Sequence, residues 1–181
     1  MCFRPGSKRE KQKLIKLLDA AEAVGESGDF YQAMADYKAA IDMLEDHDID
    51  GDRLYYAQQY IEHGDLDEAW DYLAYLAVRR PKLRPKIRKE QVRILTLRKD
   101  WVEAMRYVLY RHVERAKYHG PFLSRPTFLR ELEPIADELG LSEEEREHFA
   151  DLVEEQTKCP PYRVDVVDAA YNLFIADKGL R

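Results

Sequence analysis

A short block recurs in this chain at almost constant spacing, and a period of that length permits few architectures. Gly28-Asp29-Phe30-Tyr31-Gln32-Ala33 returns as Gly64-Asp65-Leu66-Asp67-Glu68-Ala69 and, degenerately, as Lys99-Asp100-Trp101-Val102-Glu103-Ala104. The three alanines are separated by 36 and 35 residues. Self-similarity on this scale marks a supersecondary unit that buries its apolar face against copies of itself. The block's chemistry identifies the unit as a helical hairpin. Gly takes the left-handed conformation that closes a helix, Asp accepts the free amide hydrogens of the next one, and the aromatic or Leu anchors its first turn. The small Ala permits close helix contact, and four residues later Tyr37, Leu73 and Val108 fall on its face.

Composition supports helix. Gly and Pro number 8 each in 181 residues, while apolar residues make up 45% of the chain and so supply a core. Leu, Ala, Glu, Lys and Arg, which lose little entropy in a helix, dominate. The 3.6-residue periodicity predicts helices near 8–26, 30–46, 53–63, 66–79, 85–98 and 101–118. His119-Gly120-Pro121 through Pro126 then interrupts the pattern. Beyond it, Phe128, Leu132, Ile135 and Leu139 form one apolar stripe, with Pro134 kinking that helix or starting it later, and Gly140 ends it. Ser142 with Glu145 reads as a capping box opening a helix that buries Phe149, Leu152 and Val153. Pro160 and Pro161 stop it, and Val164, Val167, Tyr171 and Phe174 line a last helix expected to cap the array.

The block and its surroundings resemble the tetratricopeptide repeat family, whose signature includes an Ala followed four residues later by an aromatic, and a closing Pro. The second unit fits best, through Ala57, Tyr60, Gly64, Ala69 and Pro81. The first has Leu17, Ala20, Ala21, Gly28, Ala33 and Tyr37 but Glu45 in place of the Pro, and the third carries Gln91, Val92 and Lys99 at signature positions. The resemblance covers roughly residues 12–118. It implies an all-α fold, a right-handed superhelical array of about three antiparallel helix pairs over 1–118. A linker at 119–126 and a helical cap at 127–181 would complete one continuous domain. It also implies a peptide-binding groove formed by the first helix of each pair, here at Glu22, Leu54, Gln58, Glu62, Lys86, Lys89 and Arg93. The carboxylate clamp of some family members is absent, since Glu22 and Gln58 stand at its key places.

Charge is segregated along the chain. Residues 1–18 hold 6 basic and 1 acidic side chains, 19–78 hold 2 and 16, 79–117 hold 14 and 4, and 118–181 hold 7 and 14. A basic layer this dense attracts something anionic. It serves attraction within the array or between copies, an acidic protein segment, or nucleic acid through Lys82, Arg84, Lys86, Arg88, Lys89 and Arg93 with Tyr107 and Tyr110. The overall charge of −6 argues against nonspecific nucleic-acid binding.

Three constellations suggest sharper chemistry. Asp46, Asp48 and Asp50 before Gly51 resemble the opening of a calcium loop, but Ala57 stands where its bidentate Glu belongs. Glu145 and His148 form a Glu-x-x-His pair, of which a di-iron bundle needs two. His112 and His119 share a face if their helix continues. No nucleophile elbow, phosphate-cradling loop or dinucleotide fingerprint occurs, so no enzyme and no cofactor is expected. Cys2 and Cys159 read as cytosolic thiols, no secretory signal or apolar span appears, and a cytoplasmic protein without membrane association follows. The expectation is an interaction scaffold that binds a protein or peptide, an acidic segment among the candidates, with nucleic-acid binding and a homo-oligomeric structural role as alternatives.

Overall fold

The computed structural model describes residues 12, 15, 19, 29–43, 49–119, 125–158 and 164–180, and among them every regular element is helical. Eight bounded helices appear: α1 (Phe30–Asp42), α2 (Asp50–His63), α3 (Leu66–Arg79), α4 (Arg84–Leu97), α5 (Trp101–His119), α6 (Arg125–Glu138), α7 (Glu143–Lys158) and α8 (Val164–Lys178). A 3-10 turn, Pro81–Leu83, leads into α4. Gln12, Ile15 and Asp19, inside the expected first helix, are helical and exposed. The chain forms two compact units, residues 1–65 and 66–181. Compactness thus divides it at Asp65, within the second repeat.

In the first unit, α1 starts where Asp29 accepts the Gln32 amide at 3.1 Å. It buries Ala33, Met34, Tyr37, Ala40 and Ile41, one face at helical spacing. That face packs on α2, which buries Leu54, Tyr56, Ala57 and Ile61. Tyr37 stacks on Tyr56 at 6.3 Å, and Phe30 lies flat on His63 at 3.8 Å. Removing each large side chain from water contributes roughly 1.5–3 kcal/mol.

In the second unit, α5 is the hub: α4, α6, α7 and α8 all pack against it. Its apolar positions explain this, because Ala104, Met105, Val108, Leu109, Val113 and Ala116 are all buried. The expected stripe on α6 is buried at Phe128, Leu132 and Ile135, and α7 and α8 add Phe149, Val153, Tyr171 and Phe174. Pro134 lies inside α6 on its exposed side, and the helix continues through it. The C-terminal helix packs on α5 and α7.

The repeated turn behaves as its chemistry requires. Gly64 and Lys99 both adopt left-handed backbone, at φ 96° and 60°. Behind each, the next amide bonds back five residues, Asp65 to Tyr60 and Asp100 to Leu95, both at 2.9 Å. This closes α2 and α4. Lys99 is the one non-glycine with positive φ among the described residues.

Candidate functional site

Within the basic layer of residues 79–117, several arginines engage carboxylates and rings of the fold. Arg88 Nε reaches Glu114 Oε2 at 3.2 Å, its Nη1 donates to Gln91 at 2.8 Å, and its guanidinium lies over Tyr107 and Tyr110 at 5.0 and 5.6 Å. Glu114 is only 4% exposed and stands 3.8 Å from Arg84 as well, whose Nε donates to the Ala77 carbonyl at 2.8 Å. Arg98 pairs with Asp67 and covers Trp70. Arg106 pairs with Glu103 at 2.5 Å and donates to Asn172 at 3.1 Å, and Arg111 meets Glu131 at 2.7 Å. Guanidinium suits these places because its planar fork satisfies carboxylates while stacking on rings. The combination of Arg88 with Tyr107 and Tyr110, proposed from sequence as a nucleic-acid surface, is therefore joined to a buried carboxylate inside the fold.

The exposed remainder lies on α4. Lys86, Lys89 and Arg93 are all exposed. Their i, i+3, i+7 spacing places them on one helical face about 10 Å long. Arg93 touches Glu90 at 4.0 Å. Lys82 precedes them on the 3-10 turn and Leu97, 55% exposed, follows them.

The other expected groove residues fare differently. Glu22 lies outside the described residues. Leu54 is 9% exposed and counts among the first unit's buried hydrophobic residues. Gln58 is half-buried, and Glu62 is exposed and accepts from Gln59 at 3.5 Å. Gln58 and Glu62 belong to the first unit, and Lys86, Lys89 and Arg93 to the second.

Comparison with protein families, curated proteins and solved structures finds no match to this chain. Function must therefore be read from its own residues.

The sharper constellations resolve locally. Ser142 and Glu145 form the expected capping box: the Ser142 amide donates to Glu145 Oε2 at 2.8 Å, and the Glu145 amide to Ser142 Oγ at 3.3 Å. With the further help of Lys178 at 3.1 Å, these bonds pull the Glu145 carboxyl down to about 2. His148 stacks on Phe174 at 6.0 Å. Asp50 pairs with Arg53 at 3.1 Å, while Asp46 and Asp48 lie outside the described residues. Among the described residues, no group of three or more His, Cys, Asp or Glu is placed to hold a metal ion. None of the described helices is long and apolar enough to cross a membrane.

Sequence reasoning missed the polar seams that fasten helices to α5 and to each other. His112, 1% exposed, sits edge-on to Phe128 at 4.9 Å, with Nε2 3.2 Å from Glu131 Oε2. Burial lowers the His112 pKa despite that carboxylate. Burial also opposes Glu131's charge, yet the hydrogen bond with His112 and the charge of Arg111 hold its carboxyl below the usual range. Tyr110 and Arg106 meet Asp168 on α8, and the Tyr171 hydroxyl donates to the Val102 carbonyl. Arg125 gathers Glu147 and Asp151 at 2.5 and 2.6 Å. These partners stand 19 to 69 residues apart, beyond the reach of any linear motif. Between α6 and α7 an open depression of about 780 Å³ is bordered by Leu129, Arg130, Glu133 and Arg146 among others. It carries both signs of charge and favours neither.

Proposed function

We propose that this chain is an interaction protein of the tetratricopeptide-like class that captures an acidic protein segment on the exposed face of α4. It would act by binding and not by catalysis. One observation supports the reading above others: Lys86, Lys89 and Arg93 on α4 are exposed, whereas Arg88 is half-buried and tied to the buried carboxylate of Glu114 and to two tyrosine rings. A lysine ammonium is a compact charge on a flexible stem, suited to meeting carboxylates at a wet surface. The engagement of Arg88, Tyr107 and Tyr110 with Glu114 weighs against nucleic acid, because it removes the stacking platform that bases would need.

Fluorescence polarisation with a labelled acidic peptide and with a single-stranded oligonucleotide, each at two salt concentrations, tests the proposal. The peptide is expected to bind and to be lost in Lys86→Glu/Lys89→Glu. Oligonucleotide binding that is tighter than peptide binding and falls steeply with salt would replace this reading with the nucleic-acid one.

A further inference from the structure

The basic stripe on α4 has a counterpart of opposite sign on the same unit. Lys82, on the 3-10 turn that leads into α4, and Lys86, Lys89 and Arg93 on α4 follow a spacing of four, three and four residues, and all are exposed. On α7, Glu144, His148, Asp151 and Glu155 follow the same spacing, and all are exposed. Three of those four are acidic. Both helices pack on α5 and their stripes stay exposed, with Asp151 also paired to Arg125 and His148 stacked on Phe174 within the chain.

We infer that the acidic segment received by α4 is α7 of a second copy of this chain, docked stripe to stripe. The inference rests on the reading of α4 as a protein-docking face. A foreign acidic peptide would account for one stripe, whereas a second copy accounts for both. Because the four-three-four spacing reads the same in either direction, parallel and antiparallel docking each set three acidic positions opposite basic ones. Exposed ion pairs are individually weak, so the association is expected at a dissociation constant on the order of 0.1–1 mM. Its salt dependence has a decisive sign. Copies that carry a net charge of −6 repel as whole bodies, so nonspecific association strengthens as salt screens them, whereas stripe-to-stripe docking weakens.

Sedimentation velocity of the full chain up to about 1 mM tests this, at about 50 and 500 mM salt. Association is expected at the lower salt and at least a tenfold weakening at the higher. Lys86→Glu/Lys89→Glu and Glu144→Lys/Glu155→Lys should each be monomeric with unchanged circular dichroism, because all four side chains are exposed. Mixing the two variants should restore association, since the unaltered α7 of one meets the unaltered α4 of the other. A monomeric wild type at low salt, association that grows with salt, or variants that self-associate like wild type would overturn the inference. If acidic peptide still bound the monomeric wild type, self-docking would fall while the α4 face stood. Loss of peptide binding as well would remove both.

Discussion

Replacing Lys99 by Gly is expected to relieve backbone strain, against the usual effect of putting Gly beside a helix. Lys99 closes α4 at φ 60°, the conformation that Gly64 adopts at 96° where it closes α2. A left-handed residue with a Cβ costs about 1–2 kcal/mol. Gly removes that cost but gains about 0.4–1 kcal/mol of entropy in the unfolded chain. The backbone gain is about 0.5–1 kcal/mol, or roughly 1–4 °C in Tm for a chain of this size. Lys99 also places a cation at the C-terminus of α4, favourable by about 0.3–1 kcal/mol, and its loss offsets most of that gain. Lys99→Ala removes the charge and keeps the Cβ, so the difference between the two variants isolates backbone strain. That difference should be about 1 kcal/mol in urea denaturation, with Gly the more stable. The mirror experiment is Gly64→Ala. Nothing lies within 4 Å of the added Cβ, so any loss is conformational and not steric, and should also be about 1 kcal/mol. Equal stabilities for Lys99→Gly and Lys99→Ala, beside a destabilised Gly64→Ala, would refute the assignment of strain to Lys99.

Stability should fall on mild acidification because of His112. Its folded pKa lies below the unfolded 6.5, so the unfolded chain binds the extra proton first, and stability is lost as pH drops below about 6.5. One proton limits the slope to about 1.4 kcal/mol per pH unit. His112→Gln should flatten urea midpoints between pH 7 and 5, and an unchanged slope would show that burial of His112 is not the cause. Glu114→Ala would leave Arg88 without its 4%-exposed carboxylate partner, costing about 3–5 kcal/mol. The double variant Arg88→Met/Glu114→Met should recover most of that in thermal melts. A double variant as unstable as the single one would mean that packing, and not the stranded charge, sets the cost.

Much of the helical order was legible in the sequence because it is written in local terms. Period, capping chemistry and breakers placed α3 at 66–79 residue for residue, and α4 and α5 within a residue at each end. The Ser142–Glu145 box and the stripe Phe128, Leu132 and Ile135 formed as expected, since each depends on residues three or four apart. Where the periodic signal met an acidic run, the reading overshot: α1 ends at Asp42 and not at 46, with the Met43 amide closing on Ala39. Leu54, which matches a groove position, is 9% exposed, a burial that a linear signature does not specify.

The sequence by itself thus determined that this chain is helical, where its turns fall, and that its charge is sorted into blocks. Only the tertiary structure decided what the blocks do. The 14 basic residues of 79–117 look uniform in a linear count, but Arg88, Arg98, Arg106 and Arg111 find partners 20 or more residues away while Lys86, Lys89 and Arg93 stay exposed. The physical reason is that a charge's fate depends on which helix crosses its path, and crossings are set by burial on the central helix α5. Local energies fix each helix; the sharing of one buried face by four neighbours fixes which charges remain outside.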